Sequence, residues 1–239
     1  MPLVLDIETV PLERSLELAY PEAQRNPPAN YKSEDTIEKW RKADRERWEQ
    51  DRIKDYSLNW RLGRIVALGM MHTEVQDSGE VHLMSEQCIV APEEADETHL
   101  LQAFWAAVAA HQGEVVTWNG SWDLAFLIGR SAGWGVTPTL SASLTRQWQL
   151  YRSHPHFDCK RELLNGQKLS GEGLDQWAAF FGVPGKLGGL TGADVWPLLK
   201  GGMVEEIAEY CQGDVRATAA IYARIRRYYQ TEVPYVGRD

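Results

Sequence analysis

The sequence predicts an α/β domain built on a mixed central sheet. Short apolar runs of strand character crowd its first half. Helical periodicities alternate with them from about residue 93, and the chain's last helix is long and amphipathic. No internal repeat, low-complexity tract or convincing linker interrupts the 239 residues. The expectation is one domain over 1–239, with a polar, partly helical insertion at about 11–60.

Taken in order, LVLDI places a short buried strand over residues 2–7. The pattern then breaks into a polar stretch with Pro21, Pro27 and Pro28. TIEKWRKADRERWEQDRIKDY follows, rich in helix formers and mixed charge, and predicts a helix over about 34–55. That helix reads either as a solvated, salt-bridged rod or as a flap over a substrate groove. RIVALGMMHT (64–73) is a strand, and EVHLMSE (80–86) is its hairpin partner through Asp77-Ser78-Gly79.

Residues 93–111 carry Leu100, Leu101, Phe104, Trp105 and Val108 at helical spacing. EVVTWN (114–119) is a buried strand, and a helix over 122–134 starts just after it. PHFDC (155–159) gives a short strand in a locally basic stretch with Arg146, Arg152, Lys160 and Arg161. LDQWAAFFG (174–182) is a helix stopped by Gly182 and Pro184. KLGGLTG (186–192) is a loop and ADVWPLL (193–199) a short helical turn. The final helix runs from Met203 to about Tyr229, with its stripe at Val204, Ile207, Cys211, Val215, Thr218, Tyr222 and Ile225.

Bulk properties exclude several classes of function. Apolar residues make up 44% and charged residues 25%, so the chain is globular rather than disordered. A net charge of -9 argues against a broad basic coat for nucleic acid, but not against binding one strand end in a local groove. Cys88, Cys159 and Cys211 form neither a zinc pattern nor a disulfide framework, which reads as reduced thiols in a cytoplasm. The N-terminus lacks the regions of a signal peptide, and no apolar run is long enough to span a membrane. The expected location is cytoplasmic.

The acids in apolar company carry the chemistry. Asp6 and Glu8 lie two apart on a strand, so both point to one face. Asp123 follows a strand and the turn Asn119-Gly120-Ser121, in the first turn of a helix. Asp214 lies at the edge of the final helix's apolar stripe, with Tyr210 one turn before it on the same face. Each has an ordinary reading alone: a helix cap for Asp123, helix surface for Tyr210 and Asp214, a strand end for Asp6 and Glu8. Together they are four acids on three elements that face one core. Hard divalent cations with oxygen ligands would neutralise such a cluster. Four converged carboxylates without Cys or His suit phosphoryl transfer by two Mg²⁺ or Mn²⁺ ions roughly 3.5–4 Å apart. A tyrosine hydroxyl beside the attacking water could orient it.

These motifs resemble those of the DEDD superfamily of 3′-to-5′ exonucleases, which have a ribonuclease H-like fold. LVLDIET (3–9) is similar to its first motif, VVTWNGSWDLAFL (115–127) to its second and YCQGDVRATAAIY (210–222) to its third, in the tyrosine form Y-x-x-x-D. Where the histidine branch has its His, this chain has Glu209. Within the superfamily the chain looks most like stand-alone proteins related to the proofreading domain of family B DNA polymerases. Asn119-x-x-x-Asp123 is one residue shorter than is usual there, and Trp122 stands where Phe is common. That spacing is closer to the ribonuclease D type, which shares the tyrosine.

The resemblance implies that Asp6, Glu8, Asp123 and Asp214 ligate two ions, Mg²⁺ or Mn²⁺, and that Tyr210 positions the water. It implies that Thr9 and Asn119 touch the terminal nucleotide. The stretch 146–161 is a candidate phosphate track from its charge alone. Trp118 and Trp122 are candidates for stacking bases or packing the core. The implied activity is release of nucleoside monophosphates from the 3′ end of single-stranded nucleic acid, with DNA preferred to RNA. The alternatives are an exoribonuclease of the same mechanism, a non-catalytic module that binds strand ends, and a phosphohydrolase acting on small substrates.

Overall fold

The structure is a computed structural model. It describes all residues except 19, 22–23, 77–79, 112, 140–155, 166, 168–172, 186–188 and 230–239. Strand β1 (Leu3–Pro11) is followed by a one-turn helix α1 (Glu13–Leu16) and the long helix α2 (Glu34–Ser57). Then come β2 (Gly63–Val75), β3 (Val81–Val90), α3 (Glu97–Ala110), β4 (Val115–Thr117) and α4 (Gly120–Trp134). The chain continues through β5 (His156–Asp158), α5 (Cys159–Leu164), α6 (Leu174–Phe181), α7 (Val195–Lys200) and α8 (Val204–Tyr229).

The five strands lie in the order β3-β2-β1-β4-β5. β1, β2 and β3 pair antiparallel, while β1, β4 and β5 run parallel, so the sheet is mixed as expected. Parallel strands send their carboxyl ends to one edge, where open α/β sheets place their ligand sites.

Alternation along β1 divides its side chains between two layers. Leu3, Leu5 and Ile7 join Leu68 and Met70 under α3 and α4, against Leu101, Phe104, Trp105, Leu124 and Leu127. Val4 and Val10 face the other way, into the apolar clusters that α6, α7 and α8 close. α8 approaches the sheet closely over Gly69 of β2, where a Cβ atom would lie 2.7 Å from Val215 Cγ2 and 3.0 Å from Cys211 Sγ. Without that glycine the helix would have to lift from the strand.

Two expected boundaries differ in ways that matter to the site. β1 extends to Pro11, past the expected end at residue 7, so Asp6 and Glu8 sit inside the strand instead of at its end. A register shift between Glu8 and Thr9 marks a bulge in its pairing with β2. α4 begins at Gly120, two residues earlier than expected. Gly120 is required there, because a Cβ atom would collide with His156 Cε1 at 2.3 Å and Thr117 Oγ1 at 2.4 Å. The hairpin turn expected at Asp77-Ser78-Gly79 lies outside the described residues.

α2 is the helix expected in the polar stretch. Ser33 caps it, accepting from Thr36 N, and Lys39 pairs with Asp35 on its exposed side at 2.8 Å. Its inner side is held by Asp44, which takes the hydroxyl of Tyr20 and the guanidinium of Arg25. Arg52 donates to the carbonyls of Ser15 and Leu18. The helix thereby packs against β1 and the preceding loop, and its C-terminal end reaches the carboxyl edge of the sheet.

Candidate active site

A cavity of about 450 Å³ opens at that edge. Asp6, Glu8 and Thr9 line it from β1, Asn119, Trp122 and Asp123 from the start of α4, and Tyr210 and Asp214 from α8. The seven candidate ligating, water-positioning and nucleotide-binding residues of the sequence reading therefore lie along one cavity, with Trp122 beside them. Lys54, Ser57 and Leu58 close it from the end of α2 and the residue after it.

Local structure explains each placement. Asp6 and Glu8 share a face of β1 because side chains two apart on a strand do. They pair with Gly69 and Ala67 of β2, small residues that leave room for α8. α8 carries Tyr210 and Asp214 one turn apart, both turned inward, at 3% and 6% exposure. Asp123 is 3% exposed and sits in the first turn of α4, at the positive end of the helix dipole. It is not the helix cap. Asn119 holds the N-cap position, and its side-chain oxygen accepts from Ser121 Oγ at 3.1 Å.

The electrostatics are those of concentrated negative charge. Burial pushes the Asp123 carboxyl well above the usual range, and the charges of Asp158 and Asp214 push it further. Asp158, at the end of β5, is raised by its own burial. Cys211 is buried beside Asp6 and Glu8, and donor atoms of these three lie within 4.8 Å of one another. The thiol is not the ligand such a cluster needs. Its hydrogen bond with Cys88, its burial and the charge of Asp6 hold it well above its ordinary value, and its Sγ donates to the Asp6 carbonyl at 3.7 Å. The carboxylates of Asp6, Glu8, Asp123 and Asp214 remain, a hard-oxygen donor set of the kind divalent cations take.

Asp158 is the residue the sequence reading passed over. Its carboxylate accepts from Arg161 N at 2.9 Å, capping α5, and from Ser121 N at 3.2 Å in the first turn of α4. It thus ties β5 to the turn that presents Asp123. Its signal was visible: an acid between Phe157 and Cys159 at the end of a strand, in the same apolar company that marked Asp6. The reading of α2 as a flap over a groove placed the helix near a site, but nothing in a charged, solvated helix says that Lys54, Ser57 and Leu58 are the residues that border the cavity.

Other expectations divide. The Thr9 hydroxyl lines the cavity but donates to Ser57 O at 2.7 Å, which fastens α2 to β1. Trp118 packs in the core and also borders the cavity. Trp122 packs against Phe126 and donates its indole N–H to Leu58 O at 3.3 Å. In the basic stretch Arg161 is paired with Glu162 at 3.0 Å, and Arg146 and Arg152 lie outside the described residues.

The strand order, the mixed sheet and its flanking helices are those of a ribonuclease H-like fold. The structure is similar to a family B DNA polymerase from the hyperthermophilic archaeon Pyrobaculum calidifontis, with a TM-score of 0.58 and 16% identity. The similarity covers 95% of this chain but only 24% of that polymerase. Among curated proteins, none matches this sequence. Residues 55–233 match a family of predicted 3′-5′ exonucleases related to the exonuclease domain of PolB, and the chain belongs to that family. Asp123, Tyr210 and Asp214 lie inside the matched residues, and Asp6 and Glu8 precede them.

Proposed function

We propose that this protein is a metal-dependent 3′-to-5′ exonuclease that releases nucleoside monophosphates from single-stranded nucleic acid, with DNA preferred to RNA. One observation carries the reading: Asp6, Glu8, Asp123, Tyr210 and Asp214, from three separate elements, line a single cavity. Membership of an exonuclease family supports it independently.

In this reading Asp6, Glu8, Asp123 and Asp214 would hold two divalent ions, Mg²⁺ or Mn²⁺, which would supply Lewis acidity to the attacking water and the leaving oxygen. The remaining work belongs to the chain. The Tyr210 hydroxyl orients the water toward the scissile phosphorus. The Asn119 amide and the free lone pairs of the Thr9 hydroxyl bind the terminal nucleotide, Thr9 as an acceptor because its proton is committed to Ser57. Trp118 and Trp122 line the cavity, where they would border the terminal base. The water oxygen bonds to phosphorus, the bond to the 3′ oxygen of the preceding nucleotide breaks, and that oxygen takes up a proton. The products are a 5′-monophosphate and a strand one residue shorter. The expected location is cytoplasmic; among the described residues no helix is long and apolar enough to cross a membrane.

The test is a degradation assay on 3′-labelled and 5′-labelled single strands of DNA and RNA with Mn²⁺ or Mg²⁺. The reading expects early release of the 3′ label as a mononucleotide, with DNA cut faster. No release at any metal concentration defeats it. Equal or faster cutting of RNA corrects the preference to that of an exoribonuclease.

A further inference from the structure

We propose that Lys54 is a strand-binding residue, which holds a backbone phosphate of the nucleic acid entering the cavity. The inference rests on the exonuclease reading and adds to it a contact from the insertion. Among the described residues that line the cavity, Lys54 is the one Lys or Arg, sharing that lining with Asp6, Glu8, Asp123 and Asp214.

Its position is fixed although its side chain is exposed. Three hydrogen bonds and a ring contact fasten the end of α2 and the residues just after it. Thr9 of β1 donates to Ser57 O at 2.7 Å, and the Trp122 indole donates to Leu58 O at 3.3 Å. Arg130 of α4 donates to Trp60 O at 3.5 Å, and the Trp60 ring covers Gly129, where a Cβ atom would lie 2.6 Å from it. Leu58 N closes the helix on Lys54 O. A lysine in the last turn of a helix pinned to β1 and α4 is a built wall of the cavity, not a passing surface charge.

Charge gives that wall a purpose. Two divalent cations would balance the four carboxylates and leave the incoming phosphodiester's charge unmet. A chain of net charge -9 repels a polyanion on balance, so a cation at the cavity itself counts for more. The other charged side chains that α2 carries toward the fold are committed: Asp44 to Arg25, and Arg52 to two backbone carbonyls. Among the described residues no hydrogen bond or ion pair engages the Lys54 ammonium. A compact ammonium with three donors is suited to a phosphate whose orientation varies from one strand position to the next. Lys54 lies in the stretch 11–60 that the sequence reads as an insertion, next to residues 55–233 that match the family.

The experiment measures binding of a 5′-fluorescein oligothymidylate to the full chain in Ca²⁺, by anisotropy, over a series of NaCl concentrations. Lys54→Ala is expected to weaken binding about three- to tenfold. It is also expected to reduce the slope of log Kd against log salt by about 0.7, the share of one phosphate contact on a single strand. Lys54→Arg restores both, and the melting temperatures of all three proteins agree. A wild-type chain that binds while Lys54→Ala keeps the wild-type salt slope overturns the assignment alone. A wild-type chain that binds no strand overturns the exonuclease reading with it.

Discussion

Asp123 shows how burial and like charge act on one residue. Its carboxyl is raised well above 3.8, first by burial and then by Asp158 and Asp214. A carboxyl that holds its proton more tightly when folded loses stability for the fold as pH rises from 3.8 through the folded value. Asp123→Asn removes that loss. In metal-free protein, urea melts should show the variant gaining on wild type as pH rises, while nuclease activity drops about 10²-fold or more. His156 works in the opposite sense. Burial holds its imidazole at about 3, against 6.5 in the open chain, so stability is lost as pH falls through that window. His156→Gln should therefore gain on wild type as pH falls, and an unchanged difference between pH 7 and pH 4 would show the acid sensitivity to lie elsewhere. At Asp6, replacement by Ala should abolish activity and leave the metal-free melting temperature equal or higher, because it relieves carboxylate repulsion. A large loss of folding would count against the metal-site reading.

At the scale of elements, the site is an agreement between β1, α4 and α8 about where to end or cross. α8 meets the sheet over Gly69, and α4 starts against Thr117 and His156 because residue 120 has no side chain. Gly120→Val should push α4 off that edge and misplace Asp123. The expected result is a loss of activity of about a hundredfold with destabilisation of roughly 1–3 kcal/mol, read from activity and thermal melts together. α2 depends on weaker fastenings. Thr9→Val keeps the shape of the side chain and removes its hydrogen bond to Ser57 O, worth about 1 kcal/mol. Faster amide exchange at the C-terminal end of α2, with protection of β1 unchanged, is the expected signature; unchanged exchange throughout would show that the hydrogen bond does not hold the helix down.

Over the whole molecule, the chain gathers acid at one edge of its sheet and carries net charge -9. Divalent cations that bind there bind the folded state alone, so they should raise the melting temperature in proportion to the logarithm of their concentration above Kd. Thermal melts with Mg²⁺, Mn²⁺ and Na⁺ at matched ionic strength distinguish this from general screening. If Na⁺ stabilises as well as Mg²⁺ does, the carboxylates hold no specific ion.

What the sequence by itself determined is the set of local facts that alternation and helical periodicity can carry. Asp6 and Glu8 share a face because strands have period two, and Tyr210 stacks one turn before Asp214 because helices have period 3.6. Those rules, with three motifs in order, were enough to choose the residues and the kind of fold. They could not show that β1 runs on past its acids, because the bulge after Glu8 is set by pairing with β2. Nor could they show that Asp158 ties β5 to the turn carrying Asp123, a hydrogen bond between residues 37 positions apart. Only the tertiary structure decided that the polar helix α2 ends at the cavity, since a charged, solvated rod has the same pattern wherever it lies. Position along a chain sets which way a side chain points from its own element; packing between elements sets what it meets there.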